Sequence, residues 1–357
     1  MHRIDKKSAL KLYKQSDILE LGEHADSIRR HLHPDGVVTF VVDRNINYTN
    51  VCINRCRFCA FYRDAGSSEA YLLTNDELYT KIDETIALGG TQILLQGGLH
   101  PDLDMHYYTN LLRSIKERYS IIIHGFSPPE IFYLSKKHDL TLRETLSTLK
   151  SAGLDSIPGG GAEILSDRVR KVLSPKKINS SAWLQVMEEA HALDMRTTAT
   201  MMFGSIEKPE DIIEHLTVIR DLQDRTGGFT AFIPWSFQPG NTELSKDLGM
   251  KSGKSRTGSG LFPTTAVDYL RALALSRIYL DNIPNVQASW VTQGLKLAQV
   301  ALRFGANDFG STMIEENVVR AAGVSYQVSR EDIVHAIKSA GFKPAQRNTY
   351  YKIIRYF

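Results

Sequence analysis

The sequence predicts an α/β fold, a TIM-type (β/α)8 barrel, and three observations point there. Between about residues 37 and 308, short β-branched runs alternate with segments of helical period, the pattern of repeated βα units around a parallel sheet. A chain of 357 residues, 42% of them hydrophobic, can bury one large core. Glycine-rich and cysteine-rich strings follow several strand candidates, where the loops of such a barrel carry chemistry.

Eight strand candidates emerge, at 45–51, 92–95, 121–124, 155–157, 197–202, 230–234, 286–289 and 307–309. The fourth and eighth have the weakest pattern. Helices lie between them. Thr74 and Glu77 have capping-box spacing, and Leu78, Ile82 and Ile86 then recur on one face. Leu297, Val300, Ala301 and Phe304 follow the same rule, with Gly305 as a stop signal. Residues 1–36 read as a helical prelude, 37–328 as the barrel, and 329–357 as a last helix and tail packed on it. The tail cations Lys343, Arg347, Lys352 and Arg355 read as an exposed face. The Gly-, Ser- and Lys-rich stretch 246–262 reads as a loop that serves as a connection or a lid.

Charged residues make up 23% of the chain and the net charge is +3, so composition gives no argument for nucleic acid. The first residues contain no apolar h-region, and no later run approaches the roughly 18 apolar residues of a membrane span. The expectation is a cytoplasmic enzyme acting on a small molecule.

All three cysteines lie within eight residues, as Cys52-x3-Cys56-x2-Cys59. A disulfide framework spreads its pairs, so these thiols serve something else. Soft thiolates on one loop after a strand select an iron–sulfur cluster or zinc. Structural zinc takes four ligands; no second cysteine pair exists, and His100 or His124 would have to complete the set. Three thiolates on a four-iron cluster instead leave one iron open to a ligand.

The string CINRCRFC, with Phe58 before the last cysteine, resembles the signature of the radical S-adenosylmethionine (radical SAM) superfamily. That resemblance implies a [4Fe–4S] cluster on Cys52, Cys56 and Cys59. It also implies S-adenosylmethionine chelated to the open iron as co-substrate, and a 5′-deoxyadenosyl radical that removes a substrate hydrogen. Gln96-Gly97-Gly98 ends the second strand like the superfamily's glycine-rich motif, which contacts the S-adenosylmethionine amino group. Glu163, closing Pro158-Gly-Gly-Gly-Ala-Glu163, would bond its ribose or amino group, or else cap a helix. The segment from Thr200 through Met202 to Glu207 resembles the part that lies beside the adenine, with Thr200 in place of a glycine.

Longer strings, DRNINYTNVCINRCRFCAFYR, IHGFSPPEI, PGGGAEIL and SWVTQGLKLAQVALRFGANDFGS among them, resemble the futalosine-pathway branch of the superfamily. That branch implies oxidative cyclisation of dehypoxanthine futalosine in menaquinone biosynthesis: hydrogen leaves ribose C4′ and the carbon radical adds to the benzoate ring. An electron donor such as flavodoxin or ferredoxin is implied as partner. Aminofutalosine synthase and deazaflavin-forming FO synthase chemistry are the neighbouring alternatives, and a non-catalytic zinc-stabilised barrel is the alternative of another class. The ring must finally lose an electron and a proton. His124, at a strand end, is the candidate for the base or for holding the substrate carboxylate, or it bonds a backbone carbonyl. Asp308 is the candidate for ribose hydroxyls or a proton, or a turn cap. Ser127, Gln287, Ser289 and Trp290 are candidate substrate contacts. Arg57 and Arg63 flank the cysteines, where they pair with acidic groups or are solvated.

Overall fold

The structure, a computed structural model, describes residues 3–249, 263–324 and 326–357. Ten strands are found in them: β1 (Val37–Val41), β2 (Asn45–Asn47), β3 (Gln92–Gln96), β4 (Ile122–Gly125), β5 (Thr197–Phe203), β6 (Phe229–Ser236), β7 (Asn285–Val286), β8 (Asp308–Ser311), β9 (Lys343–Arg347) and β10 (Ile353–Tyr356). Three parallel ladders, β2-β3-β4, β5-β6-β7 and β8-β1-β9, form the barrel wall. Single bridges join them: His124 to Ser156, Ile157 to Thr197 and Gln287 to Asp308. The expected fourth strand is thus reduced to bridges at 156–157.

β1 and β2 are halves of one barrel strand. β1 pairs with β8, β2 pairs with β3, and the backbone between them bonds both sides, through Asp43 O to Ile314 N and Arg44 O to Leu94 N. The barrel closes there. The first barrel strand, expected from residue 45, thus starts earlier, with Val37–Val41. That run is buried throughout, and a strand covered on both faces lacks the period-two signature of a half-exposed one.

Along β3, Ile93 and Leu95 are buried beneath the helices while Gln92, Leu94 and Gln96 line an interior cavity, as the alternation of a strand requires. Between Thr39 opposite Asp308 and Val41 opposite Ser311, the single residue Phe40 of β1 faces two residues of β8, Phe309 and Gly310. The extra residue is Gly310, at φ +85°, where a side chain would also strike Gln287; such a bulge suits glycine.

The helix Asn75–Ala87 has its capping box in both directions, Glu77 N to Thr74 Oγ1 and Thr74 N to a Glu77 carboxylate oxygen. Leu78 and Ile82 are buried, but Ile86 is exposed and Thr85 takes the inward place. The helix Leu295–Ala301 ends before the expected stop, and Val300 is exposed while Ala298, Ala301 and Leu302 are buried. Residues 246–249 finish the helix Glu243–Asp247 and its turn; the rest of the suggested lid, 250–262, lies outside the described residues. The prelude forms two helices, Lys6–Gln15 and Ile18–Leu32.

The tail does more than cover the barrel. After the helix Arg330–Ser339, β9 pairs in parallel with the start of β1 and β10 folds back on it. The turn between them enters the lower, N-terminal end of the barrel. Arg347, expected on an exposed face, is buried and clamps Asp308 through Nε–Oδ2 (2.5 Å) and Nη2–Oδ1 (2.9 Å). Thr39 and the Gly310 amide also donate to Asp308, and Tyr351 stacks 3.9 Å from the guanidinium. Burial opposes the charge on Arg347, but Asp308 holds its pKa above the usual range.

Removing one member of a buried ion pair leaves an uncompensated charge. Arg347→Met is therefore expected to destabilise the fold by about 3–5 kcal/mol, and Arg347→Met with Asp308→Leu to recover most of that loss, as read by chemical denaturation.

Candidate active site

The loop after β2 carries the cysteines. Cys56 is buried, Cys52 and Cys59 are half-buried, and none is in a disulfide. The loop is braced by Cys52 N to Arg63 O, Ile53 N to Leu99 O and Arg57 N to Leu173 O. Gly98 lies so close to it that a Cβ there would overlap Val51 O and Cys52 Cβ, and one on Gly97 would overlap the Tyr48 ring. The two glycines at this strand end are thus required by close approach. Burial pushes the Cys56 thiol up to about 12. Burial also raises Cys59, against the backbone N–H groups of Phe61 and Tyr62, which favour its thiolate.

A cation stands beside these thiols. The nearly buried Lys177 ammonium lies 5.0 Å from the Phe58 ring centroid and 3.1 Å from Glu163 Oε1. Burial works against its charge, but Cys56 and Glu163 outweigh burial and hold its pKa above the usual lysine range. Glu163 has φ +42°, a left-handed conformation uncommon for a residue with a side chain. Its Oε2 is buried without a hydrogen bond among the described residues, 3.6 Å from Arg170 Nη1. Lys177 escaped the sequence reading because nothing in LSPKKINS distinguishes it from a solvated lysine.

Below this loop lies a cavity of about 290 Å³ inside the barrel. Its polar lining includes Asp43, Asn45, Gln92, Gln96, Thr198, Thr200, Gln287 and Ser289; its apolar lining includes Ile233, Trp235, Trp290 and Met313. Arg347, Thr349 and Tyr351 reach it from the tail. Gln92 Nε2 donates to Asp43 Oδ2 (2.6 Å), and Ser311 and Thr349 bond Asp43 and Gln92. Burial raises the Asp43 pKa. Asp43, Asn45 and Asn47 alternate along the first barrel strand, a period-two polar signal that was present in the sequence.

Of the expected site residues, His124, Gln96, Glu163, Gln287, Ser289 and Trp290 all face this cavity. Trp290 is fixed by Nε1 to Ser311 O (2.7 Å), and the Ser289 amide donates to Tyr269 OH. Others stand elsewhere. Asp308 does not line the cavity; it begins β8 instead of ending it, so its carboxylate lies at the lower end with Arg347. Ser127 donates to Glu130 Oε2 (2.6 Å), outside the cavity lining. Met202 is fully buried, and its amide bonds Glu163 O. Glu207 accepts from the amides of Gly204 and Ser205 and holds their turn. Arg57 pairs with Glu243 and Asp247, and Arg63 with Glu69.

Glu130 was missed altogether. Its buried carboxylate accepts from Tyr48 OH (2.7 Å), Ser127 Oγ and the Gly97 amide (3.2 Å), tying the Gln96-Gly97-Gly98 segment to the helix Pro128–Lys137.

Of the alternative zinc ligands, His100 Nδ1 accepts the Asp102 amide and His124 Nδ1 bonds Ser156. Among the described residues no three His, Cys, Asp or Glu side chains converge to hold a single ion. Three free thiols on one loop, an amide-supported sulfur at Cys59 and an unpartnered carboxylate oxygen on Glu163 suit a cluster with a bound polar co-substrate.

A barrel with three cysteines on the loop after its first strand defines a radical SAM enzyme. The chain belongs to that superfamily: the radical SAM superfamily profile matches residues 46–219, and the CofH/MqnC C-terminal region matches residues 226–356. It is 47% identical over 356 residues to the cyclic dehypoxanthine futalosine synthase of Halalkalibacterium halodurans, covering 99% of this chain and 92% of that one. It is 42% identical to the 5-amino-6-(D-ribitylamino)uracil–L-tyrosine 4-hydroxyphenyl transferase of Methanocaldococcus jannaschii, over 98% and 97% of the two chains. Among solved structures, methylornithine synthase (PylB) superposes with TM-score 0.71 at 17% identity, covering 96% and 95%. The hydrogenase maturase HydG from Carboxydothermus hydrogenoformans superposes with TM-score 0.74 at 18% identity, covering 98% and 78%. At these identities the solved structures bear on the fold alone. No helix among the described residues is long and apolar enough to cross a membrane.

Two expectations follow. Changing any one of Cys52, Cys56 or Cys59 to alanine should abolish iron and sulfide incorporation during anaerobic reconstitution while far-ultraviolet circular dichroism stays unchanged. Burial raises Glu130 from 4.5 to about 7, so the folded protein holds this proton more tightly than the unfolded chain. The stability it contributes is complete below pH 4.5 and is lost as pH rises through about 7, a change of about 3 kcal/mol. Denaturation midpoints should show that fall, and Glu130→Gln should flatten it.

Proposed function

We propose that this enzyme cyclises dehypoxanthine futalosine to cyclic dehypoxanthine futalosine. The observation that carries the reading is the 47% identity to the Halalkalibacterium halodurans synthase over 99% of this chain, a span that includes both the cysteine loop and the cavity-lining segments. The cavity chemistry agrees with a substrate of two characters. Amide and hydroxyl side chains on β3, β5 and the β7 end suit sugar hydroxyls, and Trp235, Trp290 and Ile233 suit an aromatic ring.

Cys52, Cys56 and Cys59 would hold the cluster, with one iron left for S-adenosylmethionine. Gln96, Gly97, Gly98 and Glu163 would hold the co-substrate's polar groups, and Phe58 and Lys177 would pack at the cluster. When bound, the pair supplies a carbon radical that abstracts hydrogen. The chain's task is to orient the ribose C4′–H bond and to exclude water from the barrel. A one-electron donor of the flavodoxin or ferredoxin kind is the proposed partner.

The similarity to 4-hydroxyphenyl transferases favours a second reading, transfer of a hydroxyphenyl group from tyrosine to 5-amino-6-(D-ribitylamino)uracil. Reconstituted enzyme given S-adenosylmethionine and dithionite decides between them. The expected outcome is 5′-deoxyadenosine and a product lighter by two hydrogens with dehypoxanthine futalosine, and no adduct with tyrosine and the uracil. The reverse pattern would establish the transferase.

A further inference from the structure

We infer that His124 accepts the proton released in the cyclisation, presented to the cavity as a single neutral tautomer that Ser156 holds. The inference rests on the cyclase reading above. Ser156 Oγ lies 2.9 Å from His124 Nδ1 and 2.7 Å from the carbonyl oxygen of Arg196. A carbonyl oxygen only accepts, so the one hydroxyl proton of Ser156 points to Arg196. The serine oxygen must then accept from the imidazole, and Nδ1 carries the hydrogen. In a neutral ring this leaves Nε2 with its lone pair. Among the described residues Nε2 has no hydrogen-bond partner, and His124 lines the cavity.

The environment keeps the ring neutral. Burial, aided by the positive charge of Arg347, lowers the His124 pKa to about 3. At neutral pH the lone pair is therefore always available. The histidine is also pinned by the strand pairing itself, since His124 bridges Ser156 across the barrel wall and the Gly125 amide donates to Ser156 O.

The chemistry asks for a weak base in a dry place. Addition of the ribose carbon radical to the benzoate ring forms the carbon–carbon bond and leaves the ring one electron and one proton in excess. The electron passes to a one-electron acceptor of the iron–sulfur class, which leaves an arenium-type cation. The C–H bond at the attacked carbon then breaks: its electron pair restores the aromatic ring and its proton goes to Nε2. Because aromaticity is regained, that C–H is strongly acidic, and an imidazole of depressed basicity suffices. Ser156 touches no substrate and acts as a positioning residue.

The test uses the full chain labelled with 15N-histidine, with His124 assigned by difference against His124→Gln. The expected spectrum has a protonated Nδ1 and an unprotonated Nε2, and Ser156→Ala shifts the pair toward the opposite tautomer. In turnover, His124→Gln and His124→Asn should lower cyclised product by about 100-fold or more, while 5′-deoxyadenosine release stays within a few-fold. Should both variants fail to fold, His124 is assigned instead by difference against folded Gln substitutions of the other histidines, and Ser156→Ala carries the test, with a shifted tautomer accompanied by reduced product. A protonated Nε2 in the unmodified enzyme, or product at undiminished rate from a His124 or tautomer-shifted Ser156 variant, overturns the role of His124 alone. Absence of product from the unmodified enzyme overturns the cyclase reading and this role together, while the spectrum still reports the tautomer.

Discussion

Arg347 and Asp308 meet inside the barrel, at the end away from the cysteines, and much of the remaining architecture follows from their pairing. Two charges withdrawn from water are tolerated only when their geometry is good and their other donors and acceptors are satisfied. Here the guanidinium fork matches the carboxylate, Thr39 and Gly310 complete the acceptor side, and Tyr351 covers the cation face. Satisfying the pair requires the tail to enter the barrel. Once it has entered, Thr349 bonds Gln92, which bonds Asp43, and the barrel interior has a polar floor. The depth of the cavity is therefore set in part by the tail residues Arg347, Thr349 and Tyr351, more than 280 positions from the cysteines at its other end.

The upper end follows a different electrostatic rule. Burial raises the Cys56 thiol pKa, and the positive charge of Lys177 opposes that rise without cancelling it; Lys177 and Arg170 both pair with Glu163. Metal coordination would complete the ionisation that burial resists. Between the two ends, amide and hydroxyl side chains make up much of the polar wall, beside the apolar Ile233, Trp235 and Trp290.

Much of this was legible before the fold was known. Thr74 and Glu77 marked a helix start because a capping box is a local hydrogen-bond exchange within four residues. The cysteine loop was legible for a similar reason: its three ligands are set by spacing in one short segment. Ile86 and Val300 were misjudged because helical periodicity describes a face without saying how far the neighbouring element covers it. Val37–Val41 lacks the period-two pattern of a half-exposed strand because it is buried throughout, and its partners, β8 and β9, come from more than 260 residues downstream. Asp308 was placed at the wrong end of the barrel because the limits of a four-residue strand depend on its neighbours' register.

By itself, the sequence determined the βα alternation, the helix starts and the three-thiol loop, because each depends on interactions among residues near one another along the chain. Only the tertiary structure decided that Arg347 belongs to the interior, that Glu130 holds the glycine segment, that Lys177 stands beside Cys56, and which nitrogen of His124 meets Ser156. Those assignments rest on hydrogen bonds and charges between segments far apart in sequence. Burial sets their strength, and burial exists only once the barrel has closed.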